Sequence, residues 1–179
     1  MSVQDRLIGA IIKKSPFDTI KQLVDSIGYI NFGYCHNTNP LLCLLTSKID
    51  YPDAGKILGL FISRGIDLNI QSVYTGNRPL LLSCTSSNPM NPVYFKMMLE
   101  NGADPLLCEG RLSELASDEV KELLKSYYKD KLLEAISLNS SPEIIKSYID
   151  RVDNTNYRGK SKYLENCSPL ISLFVFYNG

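Results

Sequence analysis

The chain has 179 residues, 44% of them hydrophobic and 21% charged, with 19 basic and 19 acidic side chains. That composition is ordinary for a water-soluble folded domain, and the length suffices for one core or a short series of repeats. The cancelling charge excludes the strongly basic footprint of a dedicated nucleic-acid binder, so no nucleic-acid partner is expected.

From the N-terminus, DRLIGAIIKKSPFDTIKQLVDSIGYIN (residues 5–31) predicts a pair of helices. Ser15 is placed to cap the second, with Pro16 at the first helical position and Asp18 three residues beyond the cap. Gly28 is expected to close the pair. NPLLCLLTSK then predicts a short apolar helix opening at Pro40, since proline's missing N–H is harmless at a first helical position. After the turn IDYPDAG comes a longer helix whose buried stripe is Ile57, Leu58, Phe61 and Ile62. Gly65 follows as a left-handed stop, and Asp67 is placed to bond its own loop backbone.

The same sentence is then repeated. RPLLLSCTSS opens a short helix at Pro79, SNPMNP makes the turn, and Tyr94, Phe95, Met98 and Leu99 form the next stripe before Gly102 and Asp104. Cys84 and Ala116 fall where neighbouring helices need a small residue, and Met97 and Met98 read as core. GRLSELASDEVKELLKSYY (110–128) predicts a degenerate pair with a shortened first helix and a second capped by Ser117. DKLLEAISLNSSPEIIKSYIDRVDNTN (130–156) echoes residues 5–31: Asp5, Leu7, Ala10 and Ile11 match Asp130, Leu132, Ala135 and Ile136, and Ser141-Pro142 repeats the capped helix start. SPLISLFVFYNG opens a further, unfinished unit.

Pro40 and Pro79 lie 39 residues apart, and Gly65 and Gly102 lie 37 apart. A period of this size marks stacked supersecondary repeats. With Pro-Leu at 40–41, 79–80 and 169–170, and Gly-x-Asp at 65–67 and 102–104, the chain resembles an ankyrin repeat protein. It departs from that family's pattern in lacking the motif histidine and in having longer turns within each pair. The resemblance implies an all-α, helix-turn-helix repeat solenoid over 1–179. Its approximate units are 5–31, 37–69, 76–105, 108–128, 130–156 and a partial 166–179. The style of the repeats is similar to divergent poxvirus ankyrin proteins and to effectors of intracellular bacteria. Such a resemblance implies a module that binds a host protein inside the cell, in the cytoplasm or the nucleus.

Nothing in the sequence spells a catalytic centre. The only histidine, His36, sits in the polar connection FGYCHNTN, where an adjacent Cys35 is poorly placed to act as its nucleophile. There is no phosphate-binding loop, zinc-protease helix or nucleophile elbow. The five cysteines are odd in number, widely spaced and without a C-x-x-C, which argues against disulfides and against zinc, so no metal and no cofactor are expected. Apolar runs such as PLLCLL are too short to span a membrane.

Binding is expected on the surface left by stacked repeats, above all on their connecting loops. FGYCHNTN, IQSVYTGNR, LCEGR and NYRGKSKY carry the candidate partner-binding residues Tyr34, His36, Tyr74, Arg78, Arg111, Tyr157, Arg158 and Lys160. Tyrosine and arginine are frequent interface anchors. The alternative is that the tyrosines brace the repeats. The apolar segment 168–177 has three readings: a truncated end, a surface for self-association, or a helix folded back on the preceding unit. A self-associating structural role and an enzyme hidden in the helices are the two rival functions.

Overall fold

The computed structural model describes residues 1–33, 39–47, 51–73, 75–85, 92–108 and 111–152. Among them the chain is all-α: α1 (Val3–Ile12), α2 (Phe17–Asp25), α3 (Pro40–Thr46), α4 (Ala54–Ser63), α5 (Pro79–Thr85), α6 (Pro92–Glu100), α7 (Arg111–Leu115), α8 (Asp118–Ser137) and α9 (Pro142–Ile149), with a short 3-10 turn at Pro105–Cys108. Contacts divide the chain into two compact units, Met1–Ser117 and Asp118–Gly179. No helix among the described residues is long and apolar enough to cross a membrane.

In the first unit the helices form two rows. α1, α3, α5 and α7 pack in succession, as do α2, α4 and α6, while α1 packs on α2, α3 on α4 and α5 on α6. The apolar stripes explain this pairing. Ile57, Leu58 and Phe61 on α4, and Phe95, Met98 and Leu99 on α6, are buried as their spacing predicts. Ile62 and Tyr94, at the edges of those stripes, are half-buried. Tyr94 lies over α4 at Gly55, where a β-carbon would come within 2.6 Å of the ring.

Pro40 and Pro79 open their helices as expected. Gly65 (φ 73°) and Gly102 (φ 98°) are left-handed, as a helix stop of this type requires. The Ile66 N–H donates to the Phe61 carbonyl and the Ala103 N–H to the Met98 carbonyl, both at 3.0 Å, closing each helix with orphan carbonyls satisfied. Asp67 accepts from the Asn69 N–H and Asp104 from the Leu106 N–H, each at 2.8 Å.

Four local expectations are corrected. Helix α1 begins at Val3 rather than near Asp5, because Ser2 and Asp5 form a reciprocal capping box: the Asp5 N–H donates to Ser2 Oγ at 3.0 Å and the Ser2 N–H to Asp5 Oδ2 at 2.7 Å. Ser15 does not cap α2. Pro16 occupies the cap position, and the Phe17 N–H donates instead to Asp53 Oδ2 at 3.1 Å, from the turn of the next pair. That bond, with Lys56, holds the Asp53 carboxyl below its ordinary 3.8. Gly28 is not left-handed, since α2 ends at Asp25 and closes through Ser26 and Ile27. On α5 the buried small residue is Ser83; Cys84 is half-exposed to its surroundings. Ala116, by contrast, is buried as expected.

The second unit carries the sequence echo into three dimensions. α8 ends at Ser137 and α9 opens at Pro142, each 125 residues after the end of α1 and the start of α2. Lys14 (φ 54°) and Asn139 (φ 56°), also 125 apart, are the two left-handed non-glycine residues among those described. Each is followed by the same closing bond, Ser15 N–H to the Ala10 carbonyl and Ser140 N–H to the Ala135 carbonyl, both 2.9 Å. Leu132, Ala135, Ile136 and Ile145 make a core completed by Tyr148 and Val152. The prolines do not superpose: Pro16 precedes its helix, whereas Pro142 begins one. Where separate units 108–128 and 130–156 are expected, a single 20-residue helix runs through the boundary. Its sequence holds no glycine or proline and is rich in Lys, Leu and Glu, so nothing interrupts it.

Asn39 caps α3, accepting the Leu41 N–H at 2.7 Å, yet it is fully buried and its Nδ2 has no partner among the described residues. An unpaired buried donor costs about 1–3 kcal/mol. Asn39→Thr keeps an oxygen acceptor and deletes that donor, so the urea midpoint is expected to rise, by about 1 kcal/mol in stability. Asn39→Ala, which also loses the cap, is expected to fall below Asn39→Thr in the same titration.

Candidate interaction surface

The loops between helix pairs are held by a repeated side-chain clamp. Asn31 Nδ2 donates to the Gly65 carbonyl at 2.8 Å, and its Oδ1 accepts the Asp67 N–H at 2.6 Å. One pair further on, Asn69 Nδ2 donates to the Gly102 carbonyl at 2.9 Å and Oδ1 accepts the Asp104 N–H at 2.7 Å. Each asparagine thus grips the Gly-x-Asp stop of the following pair. The next place in the series is Leu106, which cannot make these bonds.

Beyond Asn69 the chain folds into a tight hairpin. The Ser72 N–H donates to the Asn77 carbonyl at 2.9 Å, the Gly76 N–H to the Ser72 carbonyl at 2.8 Å, and Gln71 Nε2 to the Gly76 carbonyl at 3.0 Å. Val73 stands 69% exposed on it. Loops held on a helical scaffold are where recognition residues gather.

Arg78 and Arg111 both line a cleft of about 220 Å³, together with Gln71, Gly76, Leu81, Leu107 and Cys108. Arg78 is half-buried and tied down: Nε donates to the Leu107 carbonyl at 3.1 Å and Nη1 to the Asn69 carbonyl. It braces the hairpin's base against the 3-10 turn. Arg111 is exposed, with Nη1 3.4 Å from Asn77 Oδ1. Of the residues singled out from sequence, these two are brought together. Tyr34, His36, Tyr74, Tyr157, Arg158 and Lys160 lie outside the described residues, as does segment 168–177.

The asparagine clamp and the cleft floor escape a residue-by-residue reading. A signal for the clamp is present: Asn31 and Asn69 are 38 residues apart, in step with the glycines and prolines. The floor carries no comparable mark, because Leu81 and Cys108 read as core until the hairpin is placed over them.

Of the cysteines in the described residues, Cys43 and Cys108 are buried and Cys84 is half-buried. Burial pushes Cys43 and Cys108 each up to about 11, and burial also raises Cys84. Such thiols carry little thiolate near neutrality and make poor nucleophiles. Iodoacetamide at pH 8, followed by peptide mass mapping, is expected to leave Cys43 and Cys108 unmodified in the native protein and to label them after denaturation. Fast native labelling of either would show that its thiol is open to solvent. No group of His, Cys, Asp or Glu among the described residues is arranged to hold a metal ion.

The described residues therefore define a class: an all-α protein of helix pairs, with one arginine-lined cleft beside α5 and α7. No protein-family model matches the chain, and no curated protein matches it in sequence.

Proposed function

We propose that the chain is a divergent ankyrin-type repeat solenoid acting as a non-catalytic module that binds another protein. The observation that carries this reading is the paired asparagine clamp, Asn31 on Gly65 and Asp67, and Asn69 on Gly102 and Asp104. A bond set repeated at the period of the sequence locks helix pairs in register, and it fixes the loops that follow them as a rigid surface. Within the proposal the partner is a protein of a host cell, and the chain acts on it as a viral or bacterial host-modulating factor. Burial of Cys43 and Cys108 favours binding over covalent chemistry at those thiols.

The test is affinity capture from eukaryotic cell lysate with the wild-type chain and with a variant carrying Tyr34→Ala, Tyr74→Ala and Arg111→Ala. Arg78 is left intact because it braces the hairpin. Circular dichroism checks that both proteins are folded. A specific protein captured by the wild type and lost with the variant is the expected result. Absence of any specific protein from the wild-type capture would overturn the reading.

A further inference from the structure

We infer that the Arg78–Arg111 cleft is an anchor pocket for a carboxylate side chain on the partner, so that the recognised segment is an acidic peptide. This deepens the interaction-module reading and rests on it. The cleft brings two arginines to a mostly polar lining with Leu81 and Leu107 among its apolar residues, and no carboxylate lines it among the described residues. Its volume, about 220 Å³, lies below the range typical of sites that enclose a whole small-molecule ligand. It suits one side chain. The two arginines are not equivalent. Arg78 spends Nε and Nη1 on the backbone carbonyls of Leu107 and Asn69, which fixes its plane. Arg111 is exposed and makes a long contact among the described residues, 3.4 Å to Asn77. A fixed guanidinium beside an adjustable one offers planar donors to a carboxylate, which guanidinium groups bind in bidentate fashion. The methylenes of an aspartate or glutamate would rest on the leucines. Recognition at an open cleft is screened by salt.

The probe is N-acetyl-glutamyl-leucinamide, titrated into the ¹⁵N-labelled full chain and followed by two-dimensional NMR. Saturable shifts are expected at the amides of Gln71, Gly76, Leu81, Leu107 and Arg111, weakening at high salt. The uncharged N-acetyl-glutaminyl-leucinamide is expected to give none of them. Arg111→Gln is expected to weaken the glutamyl probe about tenfold, as for loss of one charge-assisted pair, with Arg111→Lys intermediate because it keeps charge but not the fork. The spectra themselves report that both variants are folded. Equal shifts with the glutamine probe, unchanged binding by Arg111→Gln, or tighter occupation of the same amides by inorganic phosphate would each overturn the assignment. A partner captured from lysate whose binding tolerates Arg111→Gln would sink the carboxylate pocket alone. Absence of any captured partner would sink the module reading instead.

Discussion

Phe61→Ala is expected to destabilise the Met1–Ser117 unit by about 3–5 kcal/mol, the usual range for emptying a well-packed aromatic site. Phe61 is fully buried on α4, the helix that packs against α2, α3 and α6 at once. A ring removed there leaves a void that three neighbouring helices would have to fill together. They are held apart by their own buried side chains, among them Ile20, Leu41 and Phe95, so collapse is incomplete and the void persists. Chemical denaturation followed by far-ultraviolet circular dichroism measures the loss. Val93→Ala is the control, because Val93 is 59% exposed and is expected to change stability by no more than about 0.5 kcal/mol. A Phe61→Ala loss of about 1 kcal/mol or less would mean that α4 is not the packing centre described here.

Asn69→Ala is expected to cost about 2 kcal/mol, from two hydrogen bonds deleted together. It frees the Asp104 N–H and the Gly102 carbonyl, which the Asn69 side chain holds at 2.7 and 2.9 Å. Hydrogen exchange gives the sharper readout. The Asp104 amide should exchange faster in Asn69→Ala, and the Asp67 amide, clamped by Asn31 at 2.6 Å, should be affected far less. Asn31→Ala should reverse that pattern. Uniform acceleration at both amides would show that the clamps are parts of one cooperative network rather than separate joints.

The helix pairs of the first unit were legible because their signals are local. A proline opens a helix through its own fixed geometry, and Gly65 and Gly102 close theirs through a backbone angle that other residues avoid. The cap of α2 was not legible, since the Phe17 N–H finds its acceptor on Asp53, 36 residues away. Any serine beside a helix start looks like a cap until the fold supplies a competitor. The long α8 shows the opposite case. No glycine or proline lies between 118 and 137, so the helix runs on through 129, where the repeat period alone places a boundary. At the cleft, Arg78 and Arg111 were recognisable as loop arginines, while their convergence depends on a hairpin set by contacts between Ser72, Gly76 and Asn77.

The asparagine clamps touch only main-chain atoms of the neighbouring pair, a carbonyl oxygen and an amide hydrogen. Such a joint is indifferent to the side chains around it. A genetic exchange that duplicated, deleted or swapped a whole pair would therefore meet the same socket on the other side, provided the incoming segment kept its glycine stop. Ordinary core interfaces lack this tolerance, because new neighbours must match in volume as well as position. The clamps thus keep successive pairs aligned whatever loop side chains surround them, while the helix faces that pack between pairs stay bound by volume. With Leu106 in the third place of the series, that freedom to recombine belongs to the two joints upstream of it.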